Sequence, residues 1–439
     1  MVTPTNDPDF DVIVVGAGPA GATAAHRLAS GGLSVVLIER AEVPGAKNLS
    51  GGVLYASVLE ELFPGFADEA PIERRITRHV TTFLTADSAV SLDYSSHTLG
   101  HPVNGVTVLR ARFDPWLVGK AEEAGALLMP GIRVDSLLTQ AGPDGRRQVA
   151  GVRAGDEELR APVVVAADGV NSFLARDAGL RRTPAPHHLA VGVKAVIRLD
   201  PGRIEDRFGV RPGEGAAHAI VGDCTQGIGG GGFLYTNQGS VSLGVVLRLD
   251  ALQASGRSTS DVFEHCVRHP GLEPYLRDGE IIEYGAHLVA EGGYGMLGEI
   301  AGDGLVVAGE AAGLTINNGF TVRGMDLAVG SGIAAADGVA EAIGNGDVSA
   351  AGLAGYRRRL EESFVLKDLR TYARAPKWLE RDRLYGAYGE LSADVLRRVF
   401  SVGTSPHRPL RALARAALSD SRVRVRDLVS DGWSGVRAL

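Results

Sequence analysis

Residues 11–39, which read DVIVVGAGPAGATAAHRLASGGLSVVLIE, decide the fold of this chain. The apolar, β-branched run from Val12 to Val15 is typical of a buried parallel strand. A glycine-rich turn follows, then a stretch predicted as a helix to about Ser30, and then a second strand that ends on Glu39. A strand, a glycine turn, a helix, a strand and a terminal acid in this order predict a Rossmann-like unit that binds a dinucleotide.

The three glycines of the turn each have a physical task. Gly16 makes the tight turn, Gly18 lets the backbone approach a pyrophosphate, and Gly21 lets the helix pack closely on the strand. The helix follows Gly21, and the free N–H groups and positive dipole end at its N-terminus favour phosphate.

Glu39 is placed to accept hydrogen bonds from an adenosine ribose, and its charge repels a 2′-phosphate. The overall composition agrees with a globular, cofactor-binding protein: 439 residues, 45% hydrophobic, 22% charged and 59 glycines. The net charge of −7 argues against a nucleic-acid partner. The two cysteines, Cys224 and Cys266, are too few for a four-cysteine iron–sulfur cluster.

Strand-like runs return at 163–169 and 306–310, so we expect the dinucleotide fold to be built from separated segments. Residues 189–249 alternate in places at period two and predict an inserted antiparallel sheet, with a hairpin turn at 237–240. The fold class is therefore α/β, α+β overall, with a helical C-terminal segment. The predicted limits are 1–80, 105–185 and 285–345 for the dinucleotide-binding domain, 81–104 and 186–284 for the β-sheet domain, and 346–439 for the helices.

No export signal is visible in the first ten residues, and no uncharged run reaches the length of a membrane span. We therefore expect a cytoplasmic protein, with peripheral contact at the inner face of the cell membrane left open. His187, His188 and the pair His265 and His269 have no matching ligand cluster, so we interpret them as loop or surface histidines.

Four further segments carry small or charged residues at the ends of predicted elements. They are PGAKNLSGG (44–52), LRARFDPWL (109–117), DGVNS (168–172) and GEAAG (309–313). Each one alone has an ordinary structural explanation, such as a solvated arginine or a turn. The specific feature is their occurrence together and in this order.

The ordered set resembles the flavoprotein family that includes p-hydroxybenzoate hydroxylase, geranylgeranyl reductases and electron-transfer-flavoprotein:quinone oxidoreductases. Within that family the chain is similar to the FixC type over nearly its full length. The specific stretches are PGAKNLSGGVLYA (44–56), VLRARFDPWL (108–117), GGGFLYTNQGSVSLGVV (230–246), EYGAHLVAEGGYGM (283–296), GLTINNGFTVRGMDLAVGSG (313–332) and DGWSGVRAL (431–439).

The resemblance implies an FAD site that extends from the glycine turn to the loop 313–320, which would pass by the flavin ring. Lys47, Asn48, Gly51 and Gly52 would approach the ribityl chain and the isoalloxazine. The residues implied to hold FAD are Gly16, Gly18, Pro19, Ala20, Gly21, Glu39, Arg40, Lys47, Asn48, Gly51, Gly52, Arg110, Val134, Asp168, Gly169, Glu310, Gly319 and Phe320.

The resemblance also implies electron flow from a two-subunit electron-transfer flavoprotein, through FAD, to a quinone or a ferredoxin-like acceptor. FixC-type proteins use a separate small ferredoxin-like protein, which fits the low cysteine count. The family usually has Asp where this chain has Glu310, one methylene longer. We interpret this as a tolerated exchange, while the departure leaves room for a recruited acid or base.

Three functions stay open at this point. The first is the electron-transfer dehydrogenase just described, which the segment GGGFLYTNQGS (230–240) favours. The second is a tailoring enzyme of the same fold that reduces, dehydrogenates or hydroxylates a small-molecule or isoprenoid substrate. The third is a flavin-free docking module, for which Glu310 is the only support.

Overall fold

The computed structural model describes residues 7–46, 48, 52–142 and 145–439. The strands of these residues are numbered in chain order. They are β1 Val12–Val15, β2 Val35–Ile38, β3 Gly52–Tyr55, β4 Ile72–Leu84, β5 Ala89–Ser95, β6 Gly105–Val108, β7 Leu127–Met129, β8 Ser136–Ala141, β9 Arg147–Ala154, β10 Glu157–Arg160, β11 Val163–Ala166, β12 Leu189–Arg198, β13 Glu214–Gly222, β14 Gly230–Thr236, β15 Ser240–Arg248, β16 Glu280–Ala290, β17 Ala301–Gly302, β18 Leu305–Val307, β19 Ile316–Asn317 and β20 Val322–Arg323.

The helices are numbered in the same way. They are α1 Pro19–Ser30, α2 Ser57–Leu62, α3 Phe66–Glu69, α4 Arg110–Glu123, α5 Phe173–Asp177, α6 Pro201–Phe208, α7 Leu249–Ser255, α8 Thr259–Val267, α9 Glu273–Leu276, α10 Met325–Gly344, α11 Ala354–Glu362, α12 Phe364–Thr371, α13 Ala375–Leu379, α14 Ala387–Phe400, α15 Leu410–Asp420 and α16 Val425–Ala438. The helix predicted after the glycine turn is confirmed; it ends at Ser30 as predicted, but it begins at Pro19, within the turn rather than after it.

The first sheet is assembled from separated pieces of chain, as predicted. Its strand order is β17-β18-β11-β1-β2-β7, and β1 pairs in parallel with both β2 and β11. All four residues of β1 and of β2 are buried, as expected for a strand that is covered on both faces. The sheet therefore has the doubly covered, mostly parallel form that the N-terminal segment predicts.

The second sheet is larger and lies mainly in the inserted segments. Its order is β16-β12-β15-β14-β13-β4-β6-β3, with β5 paired to β4. The predicted hairpin is confirmed, because β14 and β15 pair antiparallel across Asn237 and Ser240. One pair differs from the antiparallel expectation: β4 and β13 run parallel. Their contact joins segments more than a hundred residues apart, which local patterning does not reveal.

This sheet also takes β3 and β6, from residues that the sequence assigns to the FAD-binding domain. The predicted domain limits therefore stay a proposal. A small sheet, β10-β9-β8, and the short hairpin β19-β20 complete the strands.

Helix α10 packs in the hydrophobic core that surrounds the first sheet. It is apolar and long enough by composition to cross a membrane, but two thirds of its most apolar window is buried inside the protein. It packs on α1, and Gly332 makes the close approach possible, because a Cβ there would lie 2.4 Å from the carbonyl oxygen of Ala20. The position of α1, and with it the glycine turn, depends on this contact.

Replacing Gly332 with alanine therefore tests the packing of α10 on α1. We expect Gly332→Ala to lower the free energy of unfolding by about 1–3 kcal/mol, the usual cost of overpacking, despite the better helix propensity of alanine. Gly344→Ala, at the end of the same helix with nothing within 4 Å of its Cβ, is the matched control and should be neutral or slightly stabilising. Chemical denaturation of both variants measures the difference, and equal effects would contradict the packing argument.

Candidate functional site

A cavity of about 510 Å³ opens at the carboxyl ends of the parallel strands. Gly16 follows β1, Glu39 follows β2, and Asp168 and Glu310 come shortly after β11 and β18. Open parallel sheets bind their ligands in the crevice at this edge. We call this space the first cavity.

The three glycines of the turn have different surroundings, and the difference tests the fit of a pyrophosphate. A Cβ on Gly16 would lie 2.3 Å from the carbonyl oxygen of Ala167, and a Cβ on Gly21 only 1.9 Å from that of Gly16. These two glycines are required by the protein's own packing. At Gly18 the backbone is extended and the nearest atom, an Arg110 nitrogen, would be 3.5 Å away, so nothing in the chain itself demands a glycine. The space beside Gly18 fits a ligand.

Glu39 holds the backbone at the end of β2 with both carboxylate oxygens. Oε2 accepts from the backbone N–H of Ala17 at 2.9 Å, and Oε1 accepts from that of Ala41 at 2.8 Å. A carboxylate has about four acceptor positions, so hydrogen bonds from a ribose can be added to these two. Glu39 therefore links the glycine turn to the end of β2, where we predict the adenosine side of the site.

Arg110 and Asp114 form a buried ion pair at the start of α4. The guanidinium donates from Nε to Oδ1 and from Nη2 to Oδ2, each at 2.6 Å, and Asp114 is fully buried. The side chain of Asn48 donates to the same carboxylate at 3.4 Å. Burial raises the pKa of Asp114, and the charge of Arg110 opposes that rise. The bidentate pair fixes the guanidinium plane beside Gly18, facing the first cavity.

Asp168 is also part of the lining of the first cavity. Its Oδ2 accepts from the backbone N–H of Leu174 at 3.1 Å, while Oδ1 is buried without a partner among the described residues. Burial raises the pKa of Asp168. An unpartnered buried acceptor on a cavity wall fits a hydroxyl-rich ligand, because such a group costs free energy until a donor reaches it.

Glu310 uses its extra methylene to reach across to another strand. Its Oε1 accepts from the backbone N–H of Ala290, the last residue of β16, at 3.1 Å. Burial raises the pKa of Glu310, while the Ala290 N–H and the charges of His287 and Arg110 lower it. The carboxylate is thus anchored to the second sheet rather than directed freely into the cavity.

A second cavity of about 390 Å³ lies against the face of the large sheet. Its floor includes Phe233 and Tyr235 of β14, whose rings stack with centroids 4.9 Å apart. Part of its far wall comes from α13 and from Tyr385 in the 3₁₀ turn 382–385. The two cavities share a wall made of Arg110, Val289, Glu291, Asn317, Val322, Gly324 and Met325.

The structure distributes the predicted site residues between these spaces. Those on the first cavity are Gly16, Gly18, Pro19, Ala20, Glu39, Arg40, Asn48, Arg110, Val134, Asp168, Gly169 and Glu310. Gly52, Gly319 and Phe320 line the second cavity. Gly21 is packed under the turn against Gly16, and Lys47 and Gly51 lie outside the described residues. The contact of each with the cofactor stays a prediction.

Sequence reasoning missed three residues that shape the site: Asp114 as the partner of Arg110, and Glu291 and Asn317 on the shared wall. Glu291 and Asn317 belong to the stretches 283–296 and 313–332 that carry the resemblance, which is the only signal they leave. His269 lies in the loop between α8 and α9, in agreement with its interpretation as a loop or surface histidine, but it is buried. It is 3% exposed, and its Nε2 lies 2.7 Å from the carbonyl oxygen of Thr85.

Comparison with known proteins agrees with the geometry. The family described as "FAD binding domain" matches residues 9–201. The chain is 44% identical over 435 residues to the probable electron transfer flavoprotein-quinone oxidoreductase YdiS of Escherichia coli strain K12, covering 99% of this chain and 100% of that protein. It is also 44% identical to Protein FixC of the same strain, over 98% of this chain and 99% of that one.

Solved structures show the same fold. A geranylgeranyl bacteriochlorophyll reductase-like protein from Thermoplasma acidophilum superposes with a TM-score of 0.70 at 24% identity, covering 96% of this chain and 99% of the other. The flavin-dependent brominase Bmp2 superposes with a TM-score of 0.63 at 16% identity, covering 93% and 98%. The cofactor of this chain is FAD, and the chain is an FAD-dependent oxidoreductase.

The space beside Gly18 leads to the first prediction about the site. Gly18→Val should leave the folded apoprotein close to its normal stability, because a Cβ at this position meets no backbone of the chain and lies 3.5 Å from the Arg110 guanidinium. It should weaken FAD binding by a hundredfold or more, about 3 kcal/mol, since the methyls occupy the space of the pyrophosphate. Calorimetric titration of the apoprotein with FAD measures this. Gly432→Val, at an exposed position of α16 with nothing within 4 Å of its Cβ, is the control for affinity; normal FAD affinity in Gly18→Val would contradict the assignment.

The hydrogen bond from the Ala290 N–H to Glu310 leads to the second prediction about the site. In Glu310→Asp the shorter acid cannot hold the Ala290 N–H, so its carboxylate becomes available to the first cavity. We expect FAD affinity to be kept or to tighten, with an effect of up to ~1–3 kcal/mol. Fluorescence titration with FAD measures the affinity, and Glu310→Gln separates charge from length. FAD binding weakened tenfold in the aspartate variant would contradict this expectation.

Proposed function

The chain belongs to the FixC family of electron transfer flavoprotein-quinone oxidoreductases, and we propose that it takes electrons from an electron-transfer flavoprotein through FAD and delivers them to a quinone. The relatives named above supply the donor and the acceptor of this proposal. Bound FAD supplies the redox chemistry, since it can take up and release one or two electrons. The protein supplies orientation, electrostatics and access.

The observation that carries the proposal is the shared wall of the two cavities. An acceptor in the second cavity would be separated from the first only by a layer of side chains, including Val289 and Met325. The stacked rings of Phe233 and Tyr235 on its floor suit a flat, apolar ring such as that of a quinone.

The electron donor would be a protein, and the sequence supports this choice. The one dinucleotide fingerprint, Gly16–Gly21 with Glu39, belongs to the FAD site. A protein donor needs no second nucleotide site, because electrons can pass between two bound flavins at a protein surface. The proposal also includes a separate ferredoxin-like partner. It includes contact with a membrane as well, because a lipid-soluble quinone would require it.

The runner-up is a tailoring enzyme that reduces, dehydrogenates or hydroxylates a small or isoprenoid substrate in the second cavity. The same apolar floor that suits a quinone also suits such a substrate. The two functions differ in the source of electrons, because a tailoring hydroxylase of this fold would take them from a nicotinamide cofactor rather than from a protein.

Stopped-flow reduction of the bound FAD separates the two functions. We expect a reduced electron-transfer flavoprotein to reduce the FAD at least about a hundredfold faster than NADH or NADPH at equal concentration. The reduced protein should then reduce a short-chain quinone, and repeating the assay with vesicle-embedded quinone or a ferredoxin-like protein measures the other two partners. Rapid reduction by NADPH with no protein partner present would favour the tailoring enzyme and contradict the proposal.

A further inference from the structure

Glu291 occupies a position that no other acid in the described residues shares. It follows directly after β16 and lines both cavities, whereas Glu310 lines only the first and Glu380 only the second. Its backbone N–H donates to the carbonyl oxygen of His188 at 2.8 Å, which fixes the chain at this point. The residue stands between the space of the cofactor and the space of the acceptor.

The carboxyl group is held in place by a neutral donor rather than by a cation. Its Oε2 accepts from the side-chain amide of Asn317 at 3.0 Å. Its surroundings come from several elements. The polar and titratable groups nearby are Glu310 after β18, Asn317 in β19, and Tyr385 in the 3₁₀ turn 382–385, with Arg110 of α4 on the same shared wall.

This setting favours a carboxyl group that keeps its proton at a higher pH than an exposed glutamate does. Burial raises the pKa of Glu291 to about 6; the Asn317 amide opposes the rise and the neighbouring Glu310 adds to it. A raised pKa means that the acid is protonated below about pH 6 and loses its proton above it. Near neutral pH such a group can give and recover a proton, as a general acid requires.

We propose that Glu291 is the catalytic acid that delivers a proton to a quinone bound in the second cavity. This inference rests on the proposed function, because it needs a proton-consuming acceptor. Glu310 is less suited to the task, since its carboxylate already accepts from the Ala290 N–H and does not line the second cavity. Tyr385 lines that cavity, but its hydroxyl donates to the carbonyl oxygen of Leu379.

The proton balance explains why an acid is needed here. A quinone becomes a hydroquinone by gaining two electrons and two protons. Bound FAD in its anionic reduced form would supply two electrons and one proton, so one further proton must come from the protein. The O–H bond of the Glu291 carboxyl breaks as an O–H bond forms at the second quinone oxygen. Solvent entering the second cavity then returns a proton to the carboxylate.

Two acceptors separate this role from a structural one. The holoenzyme is reduced anaerobically by light and mixed in a stopped-flow instrument with a short-chain quinone, or with ferricenium, which takes one electron and no proton. In Glu291→Gln we expect oxidation by the quinone to slow at least about a hundredfold at pH 6, the size of a general-acid contribution. Oxidation by ferricenium should be unchanged.

Matched variants and a pH series complete the design. Glu390→Gln, which removes an exposed acid of α14 that lines neither cavity, should leave both rates unchanged. Glu291→Asp, which keeps an acid, should recover part of the quinone rate. The wild-type quinone rate should decline above about pH 6, and this dependence should vanish in Glu291→Gln. Infrared titration of the resting protein should show a carboxyl band with a midpoint near 6 that the glutamine variant lacks.

The possible failures can be told apart. Equal quinone rates in the wild type and Glu291→Gln, or equal slowing with both acceptors, would overturn the role of Glu291. The absence of the carboxyl band in the wild type would also overturn it, even if Glu291→Gln failed to fold. A wild-type protein that is oxidised by ferricenium but not by quinone would overturn the proposed function itself, and the role of Glu291 with it.

Discussion

The structure depends on one steric constraint, the contact of bare backbone at the turn between β1 and α1. With a Cβ on Gly21 only 1.9 Å from the carbonyl oxygen of Gly16, no side chain is possible there. The close contact holds the first turn of α1 over the end of β1, so that its N–H groups face the first cavity. Gly332 in turn lets α10 approach α1, because a Cβ there would lie 2.4 Å from the carbonyl oxygen of Ala20. The first turn of α1, which lines the first cavity, is thus held in place by two glycine contacts.

Electrostatics then divides the site into two regions. Near the glycine turn, the bidentate pair of Arg110 and Asp114 keeps a cation fixed beside the space of the phosphates. Glu291 on the shared wall interacts with Glu310 in the first cavity, and burial raises the pKa of both. A fixed positive charge suits the binding of an anion, whereas acids of raised pKa suit the exchange of protons. Anion binding and proton exchange are therefore tasks for different side chains of these two neighbouring cavities.

Much of the fold follows from local sequence. The strand, glycine turn and helix of residues 11–39 are present as predicted, and so are the hairpin at 237–240 and the helical C-terminal segment. These features depend on periodicity and turn chemistry within about thirty residues, which a single sequence displays directly. The same holds for the class of cofactor, because the glycines and Glu39 lie in one such segment.

The arrangement of the site was decided by the tertiary structure. Whether Gly319 and Phe320 line the first or the second cavity depends on how the loop that carries them lies against both sheets, and they line the second. The parallel pairing of β4 with β13 and the meeting of Glu291 with Asn317 likewise join segments that are distant in the chain or separated by a turn. Sequence alone determined the fold of the segment that binds the cofactor and the residue types at the edge of its parallel sheet. Only the packing of the two sheets could decide that an acid would stand between two cavities, because that position exists only where their surfaces meet.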